Sequence, residues 1–150
     1  MHMRIVRWMM LIGAACFAVW AGDAVGIWKV NPLRSRDPYP GIVTVRFEPH
    51  AKGEVLTLDQ VHEDGRMTTT SNILYFDGKE RDSTGSVCSG TQSSRRVDSR
   101  TVEILTRCAD GMRVRVIRRV SGEPNELIAE ITEKSPDGHL LERRLVLERQ

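Results

Sequence analysis

Apolar and polar residues alternate along short runs of this chain, from about Gly26 to the last residue. Turn sequences rich in Gly, Asp and Pro separate the runs, at residues 50–53, 63–65, 77–78, 110–111, 121–125 and 136–138. Alternation with a period of two is typical of strands with one buried and one solvated face, and tight turns join such strands as hairpins. The pattern therefore predicts an all-β fold.

The runs predict about ten strands, at residues 25–30, 42–48, 54–62, 66–76, 81–87, 92–97, 101–108, 112–120, 126–133 and 139–148. Residues 31–41 contain three prolines and are expected to be irregular, because proline does not pair within a central strand. Sequential strands joined by tight turns favour an antiparallel up-and-down meander barrel of about 8–10 strands. An open sandwich built from the same strands is the alternative.

The first 21 residues have the features of a secretory signal peptide. Arg4 and Arg7 precede an uncharged apolar stretch at residues 8–20, and Ala21 offers a small residue at the cleavage point. This stretch has 13 residues, whereas a membrane-spanning helix needs about 20. We therefore expect cleavage near Ala21, no stable membrane span, and one mature domain at residues 22–150 in the periplasm or outside the cell.

A lipoprotein anchor is the alternative for this segment. Cys16 follows the small residues Gly13, Ala14 and Ala15, as the lipidated cysteine of such signals does. Those signals normally carry leucine three residues before the cysteine, where this chain has Gly13. The sequence favours cleavage over lipidation.

Charge gives no reason to expect a nucleic-acid partner. The chain has 22 basic and 20 acidic residues, and Arg4 and Arg7 leave with the leader, so the mature part has 20 of each. Few aromatic side chains are present for base stacking. Arg113, Arg115 and Arg119 share one face of a predicted strand, which predicts an exposed Arg-rich strip; a lumen that binds carboxylates is the alternative.

Two cysteines, Cys88 and Cys108, remain in the mature part. Export places them in an oxidising compartment, so we expect a disulfide between them. If residues 92–97 and 101–108 form a hairpin, the two cysteines lie across from each other at its open end. A metal pair or a reactive thiol is the alternative, but no histidine is near either cysteine in sequence. No metal site is expected from the three histidines beside turns, which lack ligand spacing: His50, His62 and His139.

Five short segments occur in an order shared with a known group of proteins. They are Gly26-Ile27-Trp28-Lys29-Val30-Asn31-Pro32, the Pro-rich residues 33–41, Tyr75-Phe76-Asp77-Gly78-Lys79, residues 96–103 with the pattern Arg-x-Asp-x-x-Thr-x-Glu, and Leu147-Glu148-Arg149-Gln150. In this order they resemble the small exported bacterial lipocalin-like proteins, which are calycin-type barrels of undefined function. The resemblance covers nearly all of the mature chain.

The resemblance implies a calyx-shaped barrel that a tryptophan closes at one end. Trp28 takes that position and packs against a basic residue of the last strand, which is Arg143, Arg144 or Arg149. Lipocalins bind small apolar ligands, so the resemblance implies such a ligand at the level of the fold alone. Residues 31–41 are too short and too rich in proline for a full helical lid.

We therefore expect a binding module that takes a small, partly apolar ligand without covalent chemistry and without a cofactor. The predicted ligand-binding residues lie on inward faces: Val43, Val45, Phe47, Leu56, Leu58, Ile104, Val114, Val116, Leu127 and Ile131. The alternative is a structural or protein-interaction barrel with a filled lumen, which acts through the Arg-rich strip or the Pro-rich loop. An enzyme is not expected, because no nucleophile elbow, Ser-His-Asp order or phosphate loop is present. A cavity of about 300 Å³ or more would favour binding.

Overall fold

The computed structural model describes residues 24–84, 88–121 and 125–150. Ten strands are formed: β1 (Gly26–Val30), β2 (Ile42–His50), β3 (Gly53–Val61), β4 (Met67–Leu74), β5 (Arg81–Ser83), β6 (Gly90–Arg96), β7 (Thr101–Cys108), β8 (Arg113–Val120), β9 (Glu126–Lys134) and β10 (Leu140–Arg149). No helix occurs in these residues, and so none there is long and apolar enough to cross a membrane.

The ten strands lie where the alternation predicts them. Nine of them agree with the predicted ends to within two residues, and the difference is larger at β5, which ends at Ser83. Residues 85–87, the end of that predicted strand, lie outside the described residues. The predicted leader at residues 1–21 also lies outside them.

All ten strands belong to one antiparallel sheet, in the order β4-β3-β2-β1-β10-β9-β8-β7-β6-β5. Each strand pairs with its neighbour in sequence except β4 with β5, and β1 pairs with β10 to join the two ends of the chain. This arrangement is an up-and-down meander that rolls into a nearly closed barrel. It confirms the predicted fold class, and the open sandwich is wrong.

Side chains and loop residues bridge the gap between β4 and β5. Asn72 of β4 donates a hydrogen bond from Nδ2 to Gln92 Oε1 of β6. The backbone N–H of Phe76 donates to Ser94 Oγ over 3.0 Å, and that of Gly78 donates to the Ser94 carbonyl over 2.9 Å. These bonds tie the end of β4 to β6 where no strand ladder does so.

Burial repeats at every second residue of the central strands. In β2, Val43, Val45 and Phe47 are at most 8 % exposed, whereas Arg46 and Glu48 are exposed. This is the expected result for a sheet with one face toward a common interior and one toward water. The main hydrophobic cluster joins inward side chains of β1, β2, β8, β9 and β10.

Trp28 closes the end of the barrel at which β1 begins. Its side chain is 0 % exposed, and Nε1 donates a hydrogen bond to the Ala24 carbonyl over 2.7 Å. Arg149 lies over the indole, with its guanidinium carbon 4.2 Å from the ring centroid, and donates from Nη1 to the Val25 carbonyl over 2.6 Å. Gly26 has a φ of 137°, and a Cβ there would lie 2.6 Å from Arg149 Nη1. The Gly-x-Trp sequence therefore makes room for the arginine that covers the tryptophan.

Residues 31–41 form an irregular strap along β10 at the opposite end. The backbone N–H of Arg36 donates to the Arg144 carbonyl over 2.7 Å, and that of Arg144 donates to the Arg36 carbonyl over 3.0 Å. Ser35 Oγ accepts a bond from the N–H of Val146 over 2.9 Å. The strap thus satisfies backbone groups of β10 beyond the end of β1, and it places Tyr39 at the mouth of the barrel.

The structure contains the Cys88–Cys108 disulfide, with Cα atoms 5.6 Å apart. The hairpin of β6 and β7 brings the two cysteines together. Its register pairs Gly90 with Cys108, so Cys88 lies two residues beyond the last strand pair. The disulfide therefore closes the mouth end of this hairpin.

Candidate ligand cavity

The interior of the barrel contains a cavity of about 300 Å³, at the small end of the range for ligand pockets. The meander brings side chains of β2, β3, β7, β8 and β9 to one wall although they are distant in sequence. All ten residues predicted to bind a ligand line it: Val43, Val45, Phe47, Leu56, Leu58, Ile104, Val114, Val116, Leu127 and Ile131. Their contact with a ligand stays a prediction.

The lining is mainly apolar, with a few neutral polar groups. Further apolar surface comes from three residues that the sequence analysis did not include: Ala129, Leu145 and Leu147. Gln92 Nε2 donates to Thr106 Oγ1 over 3.3 Å, and Gln60 Nε2 donates to the Pro40 carbonyl over 3.0 Å. An apolar wall with a few fixed polar groups suits a small molecule with a polar end.

A buried ion pair lies toward the closed end of the cavity. Arg118 Nη1 of β8 is 2.6 Å from Glu54 Oε1 of β3, and each side chain is 5 % exposed. Arg118 lines the cavity, and its guanidinium carbon lies 4.1 Å from the centroid of the Phe47 ring. Two charges that leave water need close mutual contact to offset their desolvation, and the ring face adds a favourable contact. The charge of Arg118 is therefore balanced inside the barrel.

A second polar cluster lies at the mouth. The hydroxyl of Tyr39 donates a hydrogen bond to Glu133 Oε1 over 3.2 Å, and Arg143 Nε lies 3.8 Å from the same oxygen. The guanidinium carbon of Arg143 is 4.4 Å from the centroid of the Tyr39 ring. Burial, together with the charge of Glu133, raises the pKa of Tyr39 to about 12. The phenol therefore remains a protonated donor at neutral pH.

The Arg-rich strip lies on the outside of the barrel. Arg113, Arg115 and Arg119 are exposed, because they alternate with the inward residues of β8. A lumen in which these three arginines bind a carboxylate is wrong. Glu103 of β7 lies beneath the strip at 5 % exposure, with its oxygens 2.8 Å from Arg95 Nε and 2.7 Å from Arg115 Nη2. Hydrogen bonds from these two arginines lower the pKa of Glu103.

Sequence reasoning missed the charged residues of the lumen, although the alternation pointed to them. Arg118 follows Val114 and Val116 on one face of β8, and Glu54 precedes Leu56 on one face of β3. Their residue type gives the opposite indication, since charged side chains are rarely buried without a partner. The period of two was the better guide.

A second cleft, of about 320 Å³, lies beside the gap between β4 and β5. Its lining is mostly hydroxyl, amide and charged groups, among them Ser71, Asn72 and Ser93. Arg81 covers the ring of Tyr75 at 3.9 Å, so that this aromatic face is occupied. Across the described ranges, no group of three or more His, Cys, Asp or Glu side chains is arranged to hold a metal ion.

The fold of this chain is similar to that of proteins of known structure. No protein-family model and no curated protein matches the sequence. Among solved structures, the barrel is similar to a fatty acid binding protein of Schistosoma mansoni in complex with arachidonic acid, with a TM-score of 0.57 and 12 % identity over 84 % of this chain and 95 % of that one. It is also similar to a zebrafish ileal bile acid-binding protein complexed with cholic acid, with a TM-score of 0.51 and 13 % identity over 84 % of this chain and 98 % of that one. At these identities, the similarity shows the fold, an antiparallel β-barrel, and no more.

Proposed function

We propose that this protein is an exported binding module that holds a small, largely apolar molecule in the lumen of its barrel without covalent chemistry. The observation that carries the proposal is the cavity of about 300 Å³, whose walls are mainly apolar. Burial of apolar ligand surface supplies binding free energy there, and the few polar groups orient the ligand. The two proteins of similar fold hold arachidonic acid and cholic acid, which supports a carrier rather than an enzyme.

Two observations support export to the periplasm or the outside of the cell. Residues 1–21 have the charge and apolar pattern of a cleaved leader. The disulfide between Cys88 and Cys108 suits an oxidising compartment. The resemblance to small exported bacterial lipocalin-like proteins agrees with both.

The alternative, a barrel that acts only through its outer surface, has less support. It requires a filled lumen, whereas a cavity remains. The strip is also partly neutralised, because Glu103 lies 2.7 Å from Arg115. An interaction surface that depends on strong positive charge is therefore weaker than the sequence indicates.

The proposal is tested by titration with the uncharged fluorescent probe N-phenyl-1-naphthylamine. We expect the probe to gain fluorescence on binding and to be displaced by decanol. Ile104 lines the lumen, and its neighbour Leu105 lies on the outside of the same strand at 42 % exposure. Ile104→Trp places an indole in the cavity and should weaken probe binding at least about tenfold, because the added volume displaces the ligand.

The matched control is Leu105→Trp, which adds the same side chain outside the barrel and should leave probe binding unchanged. Circular dichroism checks that both variants are folded. Should the Ile104 variant be unstable, Ala129→Leu fills part of the same cavity without introducing an aromatic ring. Equal probe binding by the inward and outward variants, or no binding by the parent protein, would refute the proposal.

A further inference from the structure

The ionisable groups of the cavity are paired with opposite charges. Of the described residues that line it, Arg118 carries a guanidinium group and Glu133 a carboxyl group. Arg118 is 2.6 Å from Glu54 at the closed end. Glu133 is 3.8 Å from Arg143 at the mouth and accepts the Tyr39 hydroxyl. Arg143 also lies 3.7 Å from Asp37, so each of these two arginines already has a carboxylate beside it.

A carboxylate ligand meets an obstacle at each position in this lumen. Against the apolar wall it is a charge without a partner, which carries a large desolvation penalty. To bind Arg118, it must share the guanidinium with the buried carboxylate of Glu54, 2.6 Å from Nη1, whose negative charge repels it. At the mouth, it approaches the carboxylate of Glu133, and Arg143 there already lies 3.8 Å from Glu133 and 3.7 Å from Asp37.

A neutral ligand meets none of these obstacles. It gains the apolar contacts of the wall, and a hydroxyl or carbonyl on it has neutral groups to approach, since Gln60, Gln92 and Thr106 line the cavity. Both ion pairs remain intact when it binds. The charge arrangement thus discriminates between two ligands with the same carbon chain.

We infer that the lumen takes an electrically neutral apolar ligand, such as a medium-chain alcohol, and rejects the carboxylate of the same chain, with Glu54 as the residue that determines this specificity. This inference rests on the proposed binding function. It also separates this chain from the two proteins of similar fold, whose ligands are carboxylic acids by name. The difference arises because the guanidinium of Arg118, which lines the cavity, already donates a hydrogen bond to the buried carboxylate of Glu54.

The test compares decanol with decanoate as competitors of N-phenyl-1-naphthylamine, on the purified protein after delipidation, at neutral pH. We expect decanol to bind at least about tenfold more tightly than decanoate. In Glu54→Gln the buried carboxylate is lost while the shape is kept. The ratio of the two affinities should then shift toward decanoate by at least about tenfold, because Arg118 can pair with the ligand.

Two variants show whether this shift comes from the lumen. Glu103→Gln removes another buried carboxylate that holds arginines, but on the outer face, and should leave the ratio unchanged. Glu54→Gln combined with Arg118→Gln should not show the gain for decanoate, because the cation is absent. This double variant leaves no unpaired buried charge. Should the single Glu54 variant not fold, Glu54→Asp keeps the charge but moves the carboxylate away from Arg118; a partial shift of the ratio toward decanoate is then expected, and an unchanged ratio overturns the role of Glu54.

The outcomes separate this inference from the proposed function. Decanoate that binds as tightly as decanol to the parent protein overturns the inference and leaves the binding function standing. An unchanged ratio in Glu54→Gln, or a gain for decanoate that persists without Arg118, overturns the role of Glu54. If neither competitor nor probe binds, the proposed function and the inference fail together.

Discussion

Removal of the Cys88–Cys108 disulfide should lower the free energy of unfolding by about 3 kcal/mol. The bond joins residues separated by 20 positions, and the loop-closure entropy that a cross-link of this span removes from the unfolded chain corresponds to about 3 kcal/mol at 25 °C. Cys108 is 7 % exposed, so alanine is a better replacement than serine, which would bury a hydroxyl group. The free energy of unfolding of a typical domain is about 5–15 kcal/mol, so a loss of this size is a large part of it.

The measurement is urea unfolding followed by circular dichroism, with the parent protein compared with Cys88→Ala/Cys108→Ala. Cys16 is changed to Ser in both, so that no other disulfide forms. The variant should also melt about 10 °C lower. As a control, the free energy of unfolding of the parent protein in the presence of reductant should equal that of the variant in its absence. A difference below about 1 kcal/mol, or no effect of reductant on the parent, would refute the reasoning.

Two further predictions concern titrating groups. In a Tyr75→Phe variant, Tyr39 is the remaining tyrosine, and its ultraviolet absorbance should titrate near pH 12, because burial and Glu133 raise its pKa. The neutral phenol therefore stabilises the folded state below pH 10, and this contribution is lost as the pH rises toward 12. A titration midpoint of the Tyr39 absorbance near pH 10 would contradict the structure. Glu103→Gln should lower stability by about 1 kcal/mol at pH 7, since the exposed arginines are screened. The pKa of Glu103 lies below 4.5, so the difference in the free energy of unfolding between the parent and this variant should shrink as the pH falls through that lowered pKa. Urea unfolding at several pH values measures it, and a difference that stays the same in acid would contradict the ion pairing of Glu103.

The strands and the cavity wall could be predicted from local patterns, because period-two alternation is a local property. Val43, Val45 and Phe47 alternate with polar residues and are buried along one face of β2. Once such strands form a closed meander, every apolar inward face meets the same interior. The ten predicted residues therefore line one cavity although β2 and β9 lie far apart in the chain.

The polar part of the site depends on contacts that no local pattern contains. Glu54 and Arg118 are 64 positions apart and meet only because β3 and β8 face each other across the lumen. Tyr39 lies in the Pro-rich strap, whose path depends on backbone bonds to Arg144 and Val146 of the last strand. Strand register and strand number determine which distant side chains come into contact, and neither is encoded within a single segment.

The open interior is costly for a barrel of this size. Enclosed cavities left by shortened core side chains lower stability because their walls lose packing contacts, and the wall of this lumen of about 300 Å³ lacks such contacts as well. Larger side chains at Ala129 or Val114 would fill part of this volume, whereas Trp28 is fully buried at the closed end. A ligand that fits the lumen restores the missing contacts and stabilises the folded state through binding. A barrel that is sealed at one end and open inside is therefore the arrangement that the proposed binding function requires.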